Sequence, residues 1–272
     1  MTARILIGLA LATGCMPTTQ QLARGVVPVG GRVHVRITAD DGSVNVVGAD
    51  LAQVEMTVTA AGYARDDLEL GMTPSGGVVD IVAKIRHHVL RSRTYLQVDV
   101  RVPRDAEVEI RSGDGAVSAT AIAGGLEITT GDGAVDVRRA WGRIALHSGD
   151  GSIDGHELDG AVSATSGDGS IELDGRFDRL AVQSGDGELR ASARPGSRVL
   201  APWDLNTGDG SVALVLPRGL AAHVDVATHD GSLRTTFPLD RRDASHAAGD
   251  LNGGGPPIVV RTGDGSIRLD AI

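Results

Sequence analysis

Apolar residues recur along this chain at intervals of 18. Val108, Leu126, Ile144, Val162 and Leu180 form one such series, and Ile110, Ile128, Leu146, Ala164 and Val182 follow two positions later. Two further on stands a hydroxyl residue in every unit: Ser112, Thr130, Ser148, Ser166 and Ser184. Alternation with period two puts all three positions on one face of a strand. A Gly-Asp-Gly triplet then breaks the alternation. Three residues after its Asp an apolar residue returns, as Val117, Val135, Ile153, Ile171 and Leu189. Each unit reads as short strand, turn, second short strand and looser return.

The turn residues Asp114, Asp132, Asp150, Asp168 and Asp186 keep the strict period, and the register extends with looser spacing to Asp209, Asp230 and Asp264 and back to Asp41. A fixed period of this length is the signature of a repeat architecture. The predicted fold is all-β: a single-chain β-solenoid or prism-like stack of 18-residue strand–turn–strand repeats, with irregular N-terminal strands. A hexapeptide β-helix would need an apolar residue every six positions, and the columns do not supply one. The columns do not reveal handedness. The turn chemistry predicts an Asx-turn closed by each Asp carboxylate, with Gly supplying positive φ. The Ser or Thr hydroxyl is expected to satisfy a backbone group that the turn removes from the ladder.

Along the chain, residues 1–15 read as an export segment and 16–25 as a polar tether. Residues 26–107 read as an irregular N-terminal β part in which the Asp-Gly marker is missing between Asp41 and Asp114. Residues 108–272 read as the regular stack, interrupted by a loop insertion at 238–257 that ends in Gly253-Gly254-Gly255-Pro256-Pro257.

Composition sharpens this picture at three points. Aromatics are 2% of the chain and Gly counts 38, which suits narrow aliphatic columns; Trp141, Phe177, Trp203 and Phe237 are expected to cover corners. Net charge is −9, which disfavours nucleic acid and anionic membrane surfaces as partners. The single Cys, Cys15, excludes an intrachain disulfide and follows an apolar stretch Ile5–Ala12. That stretch is too short to span a bilayer and reads as an export signal. Leu11-Ala12-Thr13-Gly14-Cys15 resembles a bacterial lipobox, with Ala12 departing from its usual branched residue, so Cys15 is the candidate lipidation site.

Several landmarks in order resemble one family. They are Val102-Pro103-Arg104, then Val108 to Gly115, the repeated Ser/Thr-Gly-Asp-Gly turns, Leu216-Pro217-Arg218-Gly219, and Ile258 to Ile267. Over about residues 30–272 the chain is similar to the bacterial putative-adhesin β-repeat domain, also called toastrack-like. The resemblance implies an exported or envelope-associated all-β module, and it carries over no catalytic residues.

Candidate chemistry is sparse. Asp carboxylates stacked about 4.8 Å apart could be bridged by Ca²⁺, but the spacing does not match the nonapeptide calcium repeat, and a structural turn column is the preferred reading. His34, His87, His88, His147, His156, His223, His229 and His246 show no metal-ligand spacing. A polysaccharide-cleaving site could use Asp136, Arg138, Asp154, Glu172 and Asp174 on an exposed strand face; a solvated surface explains them as well. The insertion carries Arg241, Arg242, Asp243, His246 and Asp250 and is the candidate partner loop, because the regular coils leave little room for a pocket. The expected function is an exported, lipid-anchored envelope protein without cofactor or catalysis, serving as scaffold or adhesion-like binding module. Its partner would be an envelope protein or polysaccharide, with the membrane reached through the lipid. The alternatives are a Ca-stabilised surface repeat protein and a polysaccharide-active enzyme.

Overall fold

The computed structural model describes residues 19–86 and 94–272. The chain divides into two compact units, Met1–Ala134 and Val135–Ile272. Every regular element among the described residues is a strand, apart from one 3-10 turn at Arg65–Asp67.

The first unit contains β1 (Gln20–Pro28), β2 (His34–Ala39), β3 (Ser43–Ala49), β4 (Gln53–Ala61), β5 (Leu68–Ser75), β6 (Val78–Ile85), β7 (Tyr95–Pro103), β8 (Glu107–Ser112), β9 (Val117–Ile122) and β10 (Leu126–Thr130). Two parallel rows form its body, β6-β2-β8-β10 and β7-β3-β9. Register keeps like positions together. Val35 pairs with Val79 and Val108, Ile37 with Ile81 and Ile110, and all six are at most 1% exposed. The pair β6–β7 thus lies outside β2–β3 although it follows them in sequence; it is a rung without the Asp marker. Antiparallel β5 covers β6, β4 covers β7, and β1 covers β4. Strand β1 begins at Gln20, so pairing takes in residues that the sequence reading assigned to the tether.

The second unit contains β11 (Val135–Ser148), β12 (Ile153–Thr165), β13 (Ile171–Ser184), β14 (Leu189–Ala193), β15 (Trp203–Thr207), β16 (Val212–Leu216), β17 (Ala222–Thr228), β18 (Leu233–Thr235), β19 (Asp240–Arg241), β20 (His246–Leu251), β21 (Pro257–Thr262) and β22 (Ile267–Ala271). The returns expected to be loose are strand in β11 and β12, which bend at Arg139 and Glu157, both at φ 55°. One apolar column reads Ile153, Ile171, Leu189, Val212, Ile267, Leu233. The last rung in sequence, β21–β22, therefore sits between β15–β16 and β17–β18. β20 closes the row, antiparallel to β17.

Phe177 and Trp203 do not cover corners. Both are fully buried and meet edge to face, with ring centroids 6.0 Å apart and planes at 83°. Asp186 to Asp209 spans 23 residues instead of 18, and the widened coil leaves interior volume that aliphatic columns cannot fill. Trp141 and Phe237 remain partly exposed.

Rungs are fastened at the turn. Ser184 Oγ donates to the carbonyls of Gly167 and Gly169 in the preceding rung (3.2 and 3.0 Å) and accepts the N–H of Gly187 in its own turn (3.1 Å). Ser166 repeats this with Gly151 (2.9 Å) and Gly169 (3.1 Å). Thr228 repeats it with Gly265 (2.8 Å) and Gly231 (3.0 Å). In the first unit Thr130 donates to Gly113 at 2.7 Å. These hydroxyls are buried, and no buried side-chain polar atom among the described residues lacks a partner. The glycines serve close approach, not positive φ as expected: none of the Gly-Asp-Gly glycines has positive φ. A methyl group on Gly169 would lie 2.2 Å from the Gly151 carbonyl oxygen, and one on Gly187 2.2 Å from that of Gly169.

Gly187→Ala is therefore expected to destabilise by ~1–3 kcal/mol or more, because backbone must move. Ser184→Ala should cost ~1–3 kcal/mol by orphaning buried partners. Gly219→Ala, where an added methyl meets nothing within 4 Å, should stay within ~0.5 kcal/mol. Thermal melting of the three variants checks the order; equal shifts would show that rung spacing does not depend on the glycines.

Candidate functional surface

All nine turn aspartates, Asp41, Asp114, Asp132, Asp150, Asp168, Asp186, Asp209, Asp230 and Asp264, are exposed. Six of them, Asp41, Asp114, Asp150, Asp168, Asp186 and Asp209, hold Oδ1 against the first glycine of the neighbouring rung's triplet. Asp114 Oδ1 accepts the Asp132 N–H at 3.3 Å, and the Oδ1 atoms of Asp150 and Asp168 overhang Gly167 and Gly185. The turn's own donor is taken by the Ser or Thr hydroxyl, which is closer and already buried. Among the described residues no group of three or more His, Cys, Asp or Glu could hold a metal ion. Cys15, His87 and His88 lie outside the described residues.

The insertion at 238–257 contains strand. β20 runs against β17, and β19 pairs with β20. Two His–Asp contacts cross between β17 and β20 in opposite senses. His223 Nδ1 lies 2.7 Å from Asp250 Oδ1, and His246 Nε2 lies 2.9 Å from Asp225 Oδ1. Arg261 of β21 joins the second contact at 3.1 Å from the same Asp225 oxygen and donates to the Asp225 carbonyl at 2.8 Å. Arg241 donates to the Leu233 carbonyl at 2.6 Å. Asp243 accepts the Ser245 N–H and hydroxyl at 2.8 and 2.9 Å, and the Arg242 N–H reaches the His246 carbonyl at 3.0 Å. The structure thus ties four of the five loop candidates by their side chains to strand or turn. Asp225 escaped the sequence reading, which weighed His223 only as a metal ligand and Arg261 only as part of the last repeat. All three occupy outward strand positions, which carry no periodic signal, and their partners could be named only once β20 was known to lie on β17.

Burial pushes the Asp225 carboxyl up, but the His246 hydrogen bond and the Arg261 charge more than offset this, so it is held below its ordinary value of 3.8. On another face, Asp136, Asp154 and Glu172 stand side by side in register, followed by Arg190. Burial, then the neighbouring charges of Glu172 and Asp136, raise the Asp154 carboxyl. Arg138 forks onto Asp136 at 3.0 Å for both bonds, and Arg194 pairs with Asp174. The residues considered for glycan cleavage therefore share one strand face, as like charges on successive rungs with Arg138 spent on Asp136 and Asp174 on Arg194.

This geometry defines a class: all-β chains whose strand–turn–strand rungs stack in parallel register, as a solenoid-like fold. The chain belongs to the Toastrack DUF4097 family, whose model matches residues 34–270. No curated protein matches it. Among solved structures it is similar to a putative lipid binding protein from Parabacteroides distasonis, 17% identical over 90% of this chain and 96% of that one, with a TM-score of 0.50. It is also similar to a putative adhesin from Parabacteroides merdae, 11% identical over 93% of this chain and 95% of that one, TM-score 0.43. A third is a putative adhesin from Bacteroides fragilis, 9% identical over 95% and 100%, TM-score 0.41. At these identities the likeness is one of fold.

Two titrations test the electrostatics. The charge on Asp225 stabilises the fold above the unfolded carboxylate range, and that stability is lost as pH falls through its lowered folded pKa. Asp225→Asn should lower the melting temperature near neutrality, with the gap to wild type closing in acid below pH ~4. Asp154 has the opposite sign: its raised pKa means the charged form is disfavoured in the fold. Asp154→Asn should raise stability at neutral pH, by at most ~1 kcal/mol at this half-buried position, and the gain should vanish in acid. A pH-independent offset in either variant would contradict the assignment.

Proposed function

We propose that this chain is a non-catalytic, adhesion-like binding module of the bacterial cell envelope, exported and held to a membrane by a lipid on Cys15. The observation that carries the binding reading is the in-register outer face of the rungs. Interior columns are filled by Val, Ile, Leu and Ala, while outward side chains stand in straight rows on successive strands. A surface of that kind suits recognition of an extended partner better than turnover in a pocket. Family membership and the names of the adhesin-like neighbours support an envelope setting. The anchor rests on Cys15, the sole cysteine, after an apolar segment and small residues. Residues 16–19 would then space the β body from the lipid.

Palmitate labelling and detergent partitioning should mark the wild type and not Cys15→Ser. The Cys15→Ser chain should still sediment with isolated cell envelopes. Equal labelling of the two would remove the anchor, and failure to sediment would remove the binding module. Ca²⁺ and chelator should leave the melting temperature unchanged; a rise with Ca²⁺ would favour a cation-stabilised repeat instead.

A further inference from the structure

One face of the second unit carries cations that the fold does not use. Arg143, Ala161 and Arg179 pair in sequence across β11, β12 and β13. Both arginines are exposed, and neither has a hydrogen-bond or ion-pair partner among the described residues. This contrasts with Arg138, Arg176, Arg190, Arg194 and Arg268 of the same unit, each held by a carboxylate. These two unspent cations stand two rungs apart, about 10 Å, on a chain of net charge −9, with Asp204 on the next rung beside Ala181.

The same rungs present a parallel row of hydrogen-bonding side chains four residues further along each strand. His147, Thr165 and Gln183 are in register, and no hydrogen bond among the described residues occupies their side chains. Between the two rows lie only Ala145, Ser163 and Ala181, so a ligand lying along the stack meets no bulky side chain before it reaches both rows.

We propose that this face binds an extended acidic polysaccharide whose carboxylates fall on alternate sugars. It deepens the binding-module reading and rests on it. Charge complementarity selects an anion, and the positions of Arg143 and Arg179, with neutral Ala161 between them, select one that is charged at every second unit. The rung spacing of about 4.8 Å is close to the length of one pyranose residue, so each rung addresses one sugar: guanidinium to carboxylate on two rungs, and His147, Thr165 or Gln183 to ring hydroxyls on each. Arginine suits the carboxylate because its planar fork can meet both oxygens. No aromatic side chain belongs to these rows, so recognition comes from charge and hydrogen bonds without ring stacking.

Calorimetric titration of the full chain tests this with four probes: a hyaluronan octasaccharide (uronate on alternate residues), a galacturonate octasaccharide (uronate on each), a dextran octasaccharide (none) and short-chain polyphosphate. The hyaluronan oligomer should bind at least about tenfold more tightly than dextran, a difference of ~1.4 kcal/mol. Raising salt from about 50 to about 500 mM should weaken it, because exposed charge contacts are screened. Arg143→Gln and Arg179→Gln should each weaken binding about three- to fivefold and the double variant should weaken it about tenfold or more, to the dextran level. Both positions are exposed, so melting temperatures should not move. Unchanged binding by the double variant, equal affinity for dextran, or polyphosphate binding as tightly as hyaluronan would each overturn the proposal. Absence of glycan binding in a chain that still sediments with envelopes would overturn it and leave the binding module standing. Absence of both would remove the two together.

Discussion

The structure depends on one distance, the approach of successive turns. Strand ladders set rungs about 4.8 Å apart, and at the turn the chain must keep that spacing without ladder bonds. It does so by bringing glycine backbone against glycine backbone. The Gly187 α-carbon sits so near the Gly169 carbonyl that no side chain fits between. The hydroxyl of the preceding strand then ties the two turns, donating up to one and accepting from the other. Each of these hydroxyls is buried, and a buried donor left unmatched would cost about 1–3 kcal/mol. Gly, Ser or Thr, and Gly are therefore one unit, and the Asp between the glycines is the part that faces solvent.

That division explains what the sequence disclosed. Apolar columns and turn triplets are enforced at every rung, so they recur and can be read as strands, a turn and a filled interior. The sequence was also misleading about which group does what at the turn. Asp is the most visible residue of the triplet, yet in most rungs its carboxylate lies against the neighbouring rung, and a Ser or Thr hydroxyl accepts the turn's own N–H. Rung order was hidden for a different reason. Every rung presents the same edge, so nothing local states which neighbour it takes. β21–β22 inserts between two earlier rungs, and β6–β7 lies outside β2–β3 without any Asp-Gly marker. In both cases the rung reached by a long excursion can be placed only by long-range pairing, whose entropy cost grows slowly with loop length.

The residues on the candidate surfaces were legible in proportion to how far they broke the period. Residues 238–257 stood out because the repeat failed there, and Arg241, His246 and Asp250 could be named. The pairing of His246 and Asp250 with Asp225 and His223 could not be read, because those two sit at ordinary outward positions of a regular strand. The insertion also proved to be a strand that covers the exposed edge of β17. An uncovered edge invites pairing with other chains, so its Gly-rich ending marks where the chain turns back to insert the last rung. Asn252, Gly253 and Gly254 all have positive φ there, and Asn252 fixes the bend by donating to the Arg218 and Leu220 carbonyls at 2.7 and 2.8 Å.

Parallel register has a consequence for the surface as well as for the core. It places equivalent outward residues side by side, so whatever one rung carries is confronted with the same column on the next. Like charges then repel, as Asp136, Asp154 and Glu172 do, and burial together with that repulsion raises the middle carboxyl. Alternating or interrupted columns avoid this. Arg36 lies between Asp80 and Glu109 in the first unit and pairs with both at 3.0 and 3.3 Å, while Arg143 and Arg179 are kept apart by Ala161. In the first arrangement the charges are consumed within the fold. In the second they are spaced without being neutralised, and nothing in the packing of β11 to β13 calls for them. A stacked-strand surface can thus vary its partners by changing one column while the core columns and turn glycines, which hold the spacing, stay fixed.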